Sequence, residues 1–273
     1  MKYGIAGTYM AGRLAGEEMA QDEKALVEHI AKGGRITAPE QMAPAYRAEI
    51  LRVMTVLTDS ELAGAAGFAA GINAAPGLAE RQALVRIVAA KLDHAGRILA
   101  LMQPFGVNAE LYVRSHPWAA RIGRDIDLGL RRIPGDKRLN VFHYPLESWY
   151  DALLVDLLVG QSLVIQLADL ADCSYTPLAG ELRAMTPAEQ ILADQAPALL
   201  QAAIARDGRL SAAQSALDYW YGRAAATFGN IDSERFAVYR RYGIRRENNA
   251  ALLSQWRQRI DGRLKELGLK VPT

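Results

Sequence analysis

Residues 44–72 have the sequence PAYRAEILRVMTVLTDSELAGAAGFAAGI, and residues 78–103 have the sequence LAERQALVRIVAAKLDHAGRILALMQ. Both stretches are rich in Ala, Leu, Arg and Glu, which are strong helix formers, and the turn-forming segment 73–77 separates them. Pro44 suits the first turn of a helix, and Pro104 stops the second stretch. The two stretches therefore predict a pair of long helices joined by a short turn, as at the start of a helical bundle.

The rest of the chain continues the helical pattern. The predicted segments are an arginine-rich crossover at 108–138, a third long helix from after 144–145 to about 172, a break at 174–177, a fourth long segment to about 206, and shorter helices at 210–228, 233–242 and 247–267. Two helical pairs joined by a long crossover predict an all-α, ferritin-like four-helix bundle with extra C-terminal helices. We divide the chain into an N-terminal extension, residues 1–41, and a single ferritin-like helical domain, residues 42–273.

The composition excludes several classes of protein. The 273 residues are 51% hydrophobic and 23% charged, which is typical of a folded protein and excludes wholesale disorder. The 32 Lys and Arg residues against 30 Asp and Glu residues give a net charge of +2. A protein that binds nucleic acid normally carries a larger excess of positive charge. The longest apolar stretch, residues 152–168, is interrupted by polar residues and is shorter than the roughly 20 residues of a membrane span. With no targeting segment visible, we expect a cytoplasmic protein that binds neither nucleic acid nor membranes.

Potential metal ligands are scarce in this sequence. A single cysteine, Cys173, excludes a thiolate-rich site, and only four histidines are present. A four-helix bundle that binds two irons places one Glu on each of two helices and Glu-x-x-His on each of the other two. The sequence contains no Glu-x-x-His. The acid that stands out is Glu61, which lies within an otherwise apolar, small-residue helix.

A set of short motifs carries a family resemblance. From Met42 to the C-terminus the motifs are Met42-x-Pro44-x-Tyr46-Arg47, Ser60-Glu61-x-x-Gly64, Asp93-x-Ala95-Gly96, Phe142-x-Tyr144-Pro145-x-x-Ser148-Trp149, Ser174-Tyr175-x-Pro177, Phe228-Gly229 and Leu267-Gly268-x-x-Val271-Pro272. In the order and spacing of these motifs the chain resembles the A subunit of bacterial phenylacetyl-CoA epoxidase. That subunit is the ferritin-like oxygenase component of aerobic phenylacetate breakdown, so the resemblance implies a ferritin-like fold and a link to aromatic or acyl-thioester metabolism.

The resemblance also implies positions for iron ligands, and most of these positions differ here. The family's second helix carries Asp-Glu-Ala-Gly-His, with the Glu and His as ligands, whereas this chain has Asp93-His94-Ala95-Gly96-Arg97. The ligand Asp of the third helix falls on Gly160, and the Glu-x-x-His of the fourth becomes Glu189-x-x-Leu192. Only Glu61 and Glu189 match. The resemblance thus implies a degenerate di-iron site, and we expect no cofactor.

Two interpretations of the remaining polar residues compete, beside the possibility that they do not converge. In the first, the guanidinium of Arg97 replaces the lost metal and neutralises Glu61 or Glu189. In the second, Glu61, His94 and Glu189 form a mononuclear site for one iron or manganese, although Arg97 argues against a metal there. Glu189 has a further alternative, because Thr186-Pro187-Ala188-Glu189 has the pattern of a capping box that starts a helix and breaks the fourth one.

Two classes of function remain open. The first is a divergent oxygenase-like or metal-independent enzyme acting on an aromatic small molecule or CoA thioester, with Glu61 or Glu189 as base, His94 as acid–base partner and Arg97 as an anion or carbonyl anchor. The second is a non-catalytic structural or regulatory subunit that pairs with a ferritin-like partner, in a homodimer or heterodimer. An open cavity reaching Glu61, His94 and Glu189 favours catalysis, and a filled one favours the structural role.

Two arginine-rich clusters are candidates for contacting the phosphates of a CoA-like ligand. The alternative is that they form a solvated helix face or a subunit contact. The first cluster lies in the crossover and the second near the C-terminus: Arg114, Arg121, Arg124, Arg131, Arg132, Lys137 and Arg138, then Arg240, Arg241, Arg245 and Arg246.

Overall fold

The computed structural model describes residues 21–272 and shows helices along most of their length. In chain order the α-helices are α1 (21–31), α2 (Pro44–Gly71), α3 (Leu78–Met102), α4 (Ala109–Ser115), α5 (Trp149–Leu170), α6 (Thr176–Asp207), α7 (Leu210–Ala225), α8 (Arg235–Arg241) and α9 (Asn249–Glu266). Within the described range, β-type pairing is limited to one isolated parallel bridge between Ile36 and Tyr175. The predicted all-α class is confirmed.

Four long helices form the bundle. Helix α2 packs along α3, α5 packs along α6, and α3 packs against α6. Helices α7 and α9 cover α5, so α5 is buried on nearly every side. Helix α5 is also long and apolar enough to cross a membrane, but most of its apolar stretch is buried inside the protein, as in the core helix of a bundle. The ferritin-like arrangement predicted from the sequence is confirmed.

The fourth long helix is continuous, contrary to the predicted break at the Thr186 capping box. Helix α6 begins at Thr176, with Pro177 in its first turn, and continues through Pro187. The hydroxyl of Thr186 donates to the carbonyl oxygen of Leu182 at 2.6 Å, one turn back along the same helix. Thr186 therefore lies in the middle of the helix instead of capping its start, and Glu189 lies near the centre of α6.

The bundle core consists of two apolar clusters with a polar layer between them. On α2, Leu57 belongs to one cluster and Ala63 to the other, and Glu61 lies between them. On α6, Met185 and Ala196 likewise belong to different clusters on either side of Glu189. Buried carboxyl groups at one level of a bundle require partners there, because an isolated buried charge is strongly unfavourable. The layer containing Glu61 and Glu189 therefore needs compensating groups from the neighbouring helices.

The crossover is hydrogen-bonded to α2 immediately before this layer. The backbone N–H of Lys137 donates to the Asp59 carboxylate at 2.5 Å, and that of Leu139 donates to Ser60 Oγ at 3.0 Å. Asp59 and Ser60 thus satisfy backbone groups of the crossover, as buried polar groups normally do. Their neighbour Glu61 is left to face the bundle interior.

The predicted boundary between an extension, residues 1–41, and the bundle stays a prediction. Residues 1–20 lie outside the described residues. Leu26 and Ile36, which fall within the proposed extension, are buried in the same apolar cluster as Tyr46 of α2. The part of the extension that is described therefore contributes to the core.

We predict that Gly160→Ala destabilises the protein, whereas Gly180→Ala does not. A Cβ at position 160 would lie 3.0 Å from Ala193 Cβ across the α5–α6 contact, and one at position 180 meets nothing within 4 Å. Overpacking typically costs about 1–3 kcal/mol, while an unhindered Gly→Ala change in a helix gains about 0.5–1 kcal/mol. Urea denaturation of both variants measures the difference. Equal effects at the two positions would contradict the close packing of α5 on α6.

Candidate functional site

Side chains from three helices meet in the polar layer. Lys91 Nζ of α3 lies 3.2 Å from Glu61 Oε2 of α2 and 3.9 Å from Glu189 Oε1 of α6. His94 Nδ1 of α3 lies 2.9 Å from the same Glu189 oxygen. All four side chains are at least nine-tenths buried. We call these residues, together with Asp156 described below, the core cluster.

The local sequence explains how the lysine reaches this position. Lys91 and His94 are three residues apart, so both project from one face of α3. The absence of a side chain at Gly64 makes room for the lysine, since a Cβ there would lie 3.2 Å from Lys91 Cδ and 3.1 Å from Phe142 Cε1. Gly64 of the Ser60-Glu61-x-x-Gly64 motif therefore allows the long lysine side chain to lie against α2.

Arg97 lies outside the core cluster, so the prediction that it neutralises Glu61 or Glu189 is wrong. Its guanidinium is half exposed and pairs with Asp93 at 2.6 Å and with Glu181 at 3.4 Å. Lys91, six residues earlier on α3, supplies the buried cation instead. Lys91-x-x-His94 has the spacing of the Glu-x-x-His motif of a two-iron bundle. The residues of α3 that face the core cluster therefore lie three positions earlier in the sequence than predicted.

The resemblance placed the ligand acid of α5 at position 160, whereas the buried acid of this helix is Asp156. Gly160 faces Ala193 of α6 at a distance that leaves no room for a carboxylate. One turn earlier, Asp156 is buried and lies close enough to Lys91 and Glu189 for their charges to shift its pKa. Sequence reasoning missed Lys91 and Asp156, although a buried lysine and aspartate in strongly apolar helices are detectable signals. With Asp156 included, all four bundle helices contribute to the core cluster.

The electrostatics of the core cluster centre on one cation among three carboxyl groups. Burial lowers the pKa of Lys91, but the carboxylates of Glu189 and Glu61 raise it by more, so its net shift is upward and the ammonium stays charged. Burial raises the pKa of Asp156 to about 8, despite the opposing effect of Lys91. Burial also raises the pKa of Glu61, whereas Lys91 and His94 outweigh burial at Glu189 and lower its pKa. These shifts favour an ionised Glu189 beside the charged Lys91, and the protonated form of Asp156.

A second buried cluster lies where the crossover meets α2. His116 Nε2 is 3.2 Å from Asp59 Oδ1 and 3.6 Å from Asp136 Oδ2. Asp136 is already paired with the buried Arg138, and Asp59 accepts hydrogen bonds from the Tyr112 hydroxyl and a crossover N–H. Both carboxylates are thus satisfied by the protein, and this cluster fastens the crossover to the bundle.

Most of the predicted phosphate-binding arginines are engaged by the protein itself. In the crossover, Arg121 donates to the Ala63 carbonyl at 2.9 Å, and burial lowers its pKa to about 10. Others pair with carboxylates, namely Arg124 with Asp151, Arg138 with Asp136, Arg241 with Glu23, Arg245 with Asp169 and Arg246 with Asp172. These arginines therefore stabilise the fold, a role that neither the phosphate-binding interpretation nor its alternative predicted.

An open cavity of about 340 Å³ reaches the core cluster from one side. It lies between α2 and α5, beneath the crossover and α8, and Glu61 forms part of its wall. His94 and Glu189 do not line it. A ligand in this cavity can therefore reach one carboxyl group of the core cluster, but not the histidine–glutamate pair.

Residues 19–273 of the chain match the family model described as phenylacetic acid catabolic protein. The match begins well before Met42, where the sequence motifs begin, and extends to the C-terminus. The chain has no match among curated proteins.

We predict that Lys91→Met costs about 3–5 kcal/mol of stability, because it leaves buried carboxyl groups without their cation. The matched change on the same helix, Arg97→Met, should cost less than about 1 kcal/mol, because exposed ion pairs contribute little. Thermal and urea denaturation of the two variants provide the comparison. A larger loss for Arg97→Met than for Lys91→Met would restore the original assignment of the buried cation to Arg97.

We predict that Asp156→Asn removes a pH dependence of stability. The pKa of Asp156 is about 8 in the folded protein and near 3.8 in the unfolded chain. Between these values the unfolded chain releases the proton and the folded protein keeps it, so rising pH favours unfolding by up to about 1.4 kcal/mol per pH unit. The variant should therefore gain stability relative to the parent as the pH rises from about 4 to 8. Parallel stability curves from urea denaturation across this range would contradict the upward pKa shift.

Proposed function

Because the chain belongs to the phenylacetic acid catabolic protein family, we propose that it serves aromatic-acid breakdown as a ferritin-like subunit without a metal-based oxygen-activating centre. The observation that carries the proposal is the position of Lys91 Nζ, 3.2 Å from one carboxylate and 3.9 Å from another. A lysine ammonium there supplies the positive charge that a metal ion would otherwise provide.

The donor set does not fit two metal ions. In the two-iron pattern the helices supply two Glu-x-x-His pairs and two further carboxylates. Here the first pair is Lys91-x-x-His94 and the second is Glu189-x-x-Leu192, so one carboxylate and one imidazole are missing. Glu61, His94 and Glu189 do bring ligand atoms within 4.8 Å of one another. However, the charged Lys91 shares those carboxylates, and a cation beside a metal ion weakens its binding.

We favour a non-catalytic role for this subunit, in a complex with a ferritin-like partner in the cytoplasm. The support is the enclosure of His94 and Glu189, which line no part of the cavity that reaches Glu61. A general acid–base pair needs access to substrate protons, and these two side chains have none from that cavity. The core cluster then acts to hold four helices in register.

The second candidate is a metal-independent enzyme acting on an aromatic or acyl-thioester substrate. It is supported by Glu61, which lines the cavity and whose pKa is raised by burial, as is typical of carboxylates that act as general bases. Glu61→Gln distinguishes the candidates, because the amide keeps the size of the side chain but is no base. In a complex reconstituted with its partner, the change should leave activity intact if the subunit is structural and abolish it if Glu61 is the base.

We predict that the protein purified without chelator contains far less than one iron or manganese per chain, and that Lys91→Glu combined with Leu192→His gains metal binding. The double change restores the missing carboxylate and imidazole of the two-iron pattern. Elemental analysis after exposure to Mn²⁺ or Fe²⁺ measures both, with Leu192→His alone as the control. Near-stoichiometric metal in the parent protein would overturn the proposal.

A further inference from the structure

The cavity beside Glu61 exists because α2 and α5 touch only sparsely along their lengths. The crossover covers one side of this gap and α8 the other. Its volume of about 340 Å³ lies at the lower end of the range for small-molecule sites.

Most of the cavity wall is apolar. Leu57 and Val53 of α2 face Val159 and Leu163 of α5 across the gap, and Phe142 of the crossover contributes an aromatic ring. An apolar molecule would lose contact with water on entering such a space, which favours binding by roughly 25 cal/mol for each Å² buried. The cavity therefore favours a hydrocarbon or aromatic group.

Most of the charged groups in the cavity wall have partners of opposite charge. Arg132, Arg235 and Arg245 line the cavity, and Glu61 is the acidic residue in its wall. Glu61 is paired with Lys91 inside the core cluster. Arg235 is bonded to both oxygens of Glu49 at 3.0 Å, and Arg245 is bonded to Asp169 at 2.9 Å. The wall thus contains more cations than carboxylates.

Among the arginines of this wall, Arg132 is the one without an acidic partner in the part of the chain that the structure describes. Its Nη1 donates to the backbone carbonyl of Arg138 at 2.7 Å, and no carboxylate within residues 21–272 lies within ion-pair distance of it. A guanidinium fork matches the two oxygens of a carboxylate. Arg132 therefore leaves one positive charge available at the edge of an apolar cavity.

We infer that this cavity binds a small apolar monocarboxylate in its free, anionic form. The carboxylate pairs with Arg132, and the hydrocarbon or aryl group lies between α2 and α5, pointing toward Glu61. One guanidinium without an acidic partner in residues 21–272 balances one negative charge, so a monocarboxylate suits the site better than a neutral ligand. This inference is separate from the proposed function, because binding requires neither catalysis nor a partner subunit.

Isothermal titration of the full chain with 4-phenylbutanoate tests the inference. The matched alcohol, amine and CoA thioester serve as comparison ligands with the same apolar group, and phenyl phosphate tests the choice of anion. We expect the carboxylate to bind at least about tenfold more tightly than each comparison ligand, since a hydrogen-bonded charge typically contributes that much. Absence of carboxylate binding at millimolar concentration, or tighter binding of the thioester, phosphate or alcohol, would overturn it.

Two variants distinguish the contribution of the Arg132 charge from that of the apolar cavity wall. Arg132→Gln should weaken carboxylate binding about tenfold or more and leave alcohol binding unchanged. Arg131→Gln is the matched control, because Arg131 is adjacent and exposed but does not line the cavity. Leu163→Phe, which fills the apolar part, should weaken binding of both ligands while thermal denaturation confirms folding. Equal effects of the Arg131 and Arg132 changes on carboxylate affinity would refute the assigned role of Arg132.

Discussion

Burial of the Lys91 ammonium is the constraint on which the rest of the bundle depends. A charge in the interior is tolerated only where opposite charges and hydrogen bonds compensate for the lost hydration. Here the compensation comes from Glu61 of α2 and Glu189 of α6, so the lysine of α3 is stable only when these three helices are in register. A lengthwise shift of one of these helices would separate the opposite charges of the layer and leave them buried without partners. The core cluster therefore specifies the bundle more than it stabilises it.

The stretch Asp59-Ser60-Glu61 of α2 contacts both the crossover and the core cluster. Asp59 and Ser60 accept hydrogen bonds from the crossover, whereas Glu61 pairs with Lys91 in the bundle interior. Successive residues on a helix are rotated by about 100°, so adjacent polar side chains necessarily point to different surroundings. The crossover and the core cluster are consequently linked through three neighbouring residues of α2. A shift of α2 along its axis would break both sets of contacts at once.

The sequence predicted the fold well and the site only in part. Helix formers and the prolines at 44 and 104 were enough for α2 and α3, and Glu61, His94 and Glu189 do meet in the structure. The error on α3 has a geometric cause. Lys91, His94 and Arg97 follow at three-residue intervals, and such a row winds gradually around a helix, so two of its members can face inward while the third faces solvent. Which two do so depends on the packing of α3 against α2 and α6, which the pattern of one helix does not contain.

The carboxyl group of Glu61 belongs to both the core cluster and the cavity wall, and this determines how a ligand must lie. One side of Glu61 pairs with Lys91, and the residue also forms part of the cavity wall. A second negative charge placed beside it would repel Glu61 and compete for the single lysine, which already serves three carboxyl groups. An anion is therefore disfavoured at the inner end of the cavity and favoured at the edge, where Arg132 has no acidic partner within residues 21–272. An apolar group is favoured at the inner end, so the arrangement of charges alone gives the cavity a direction.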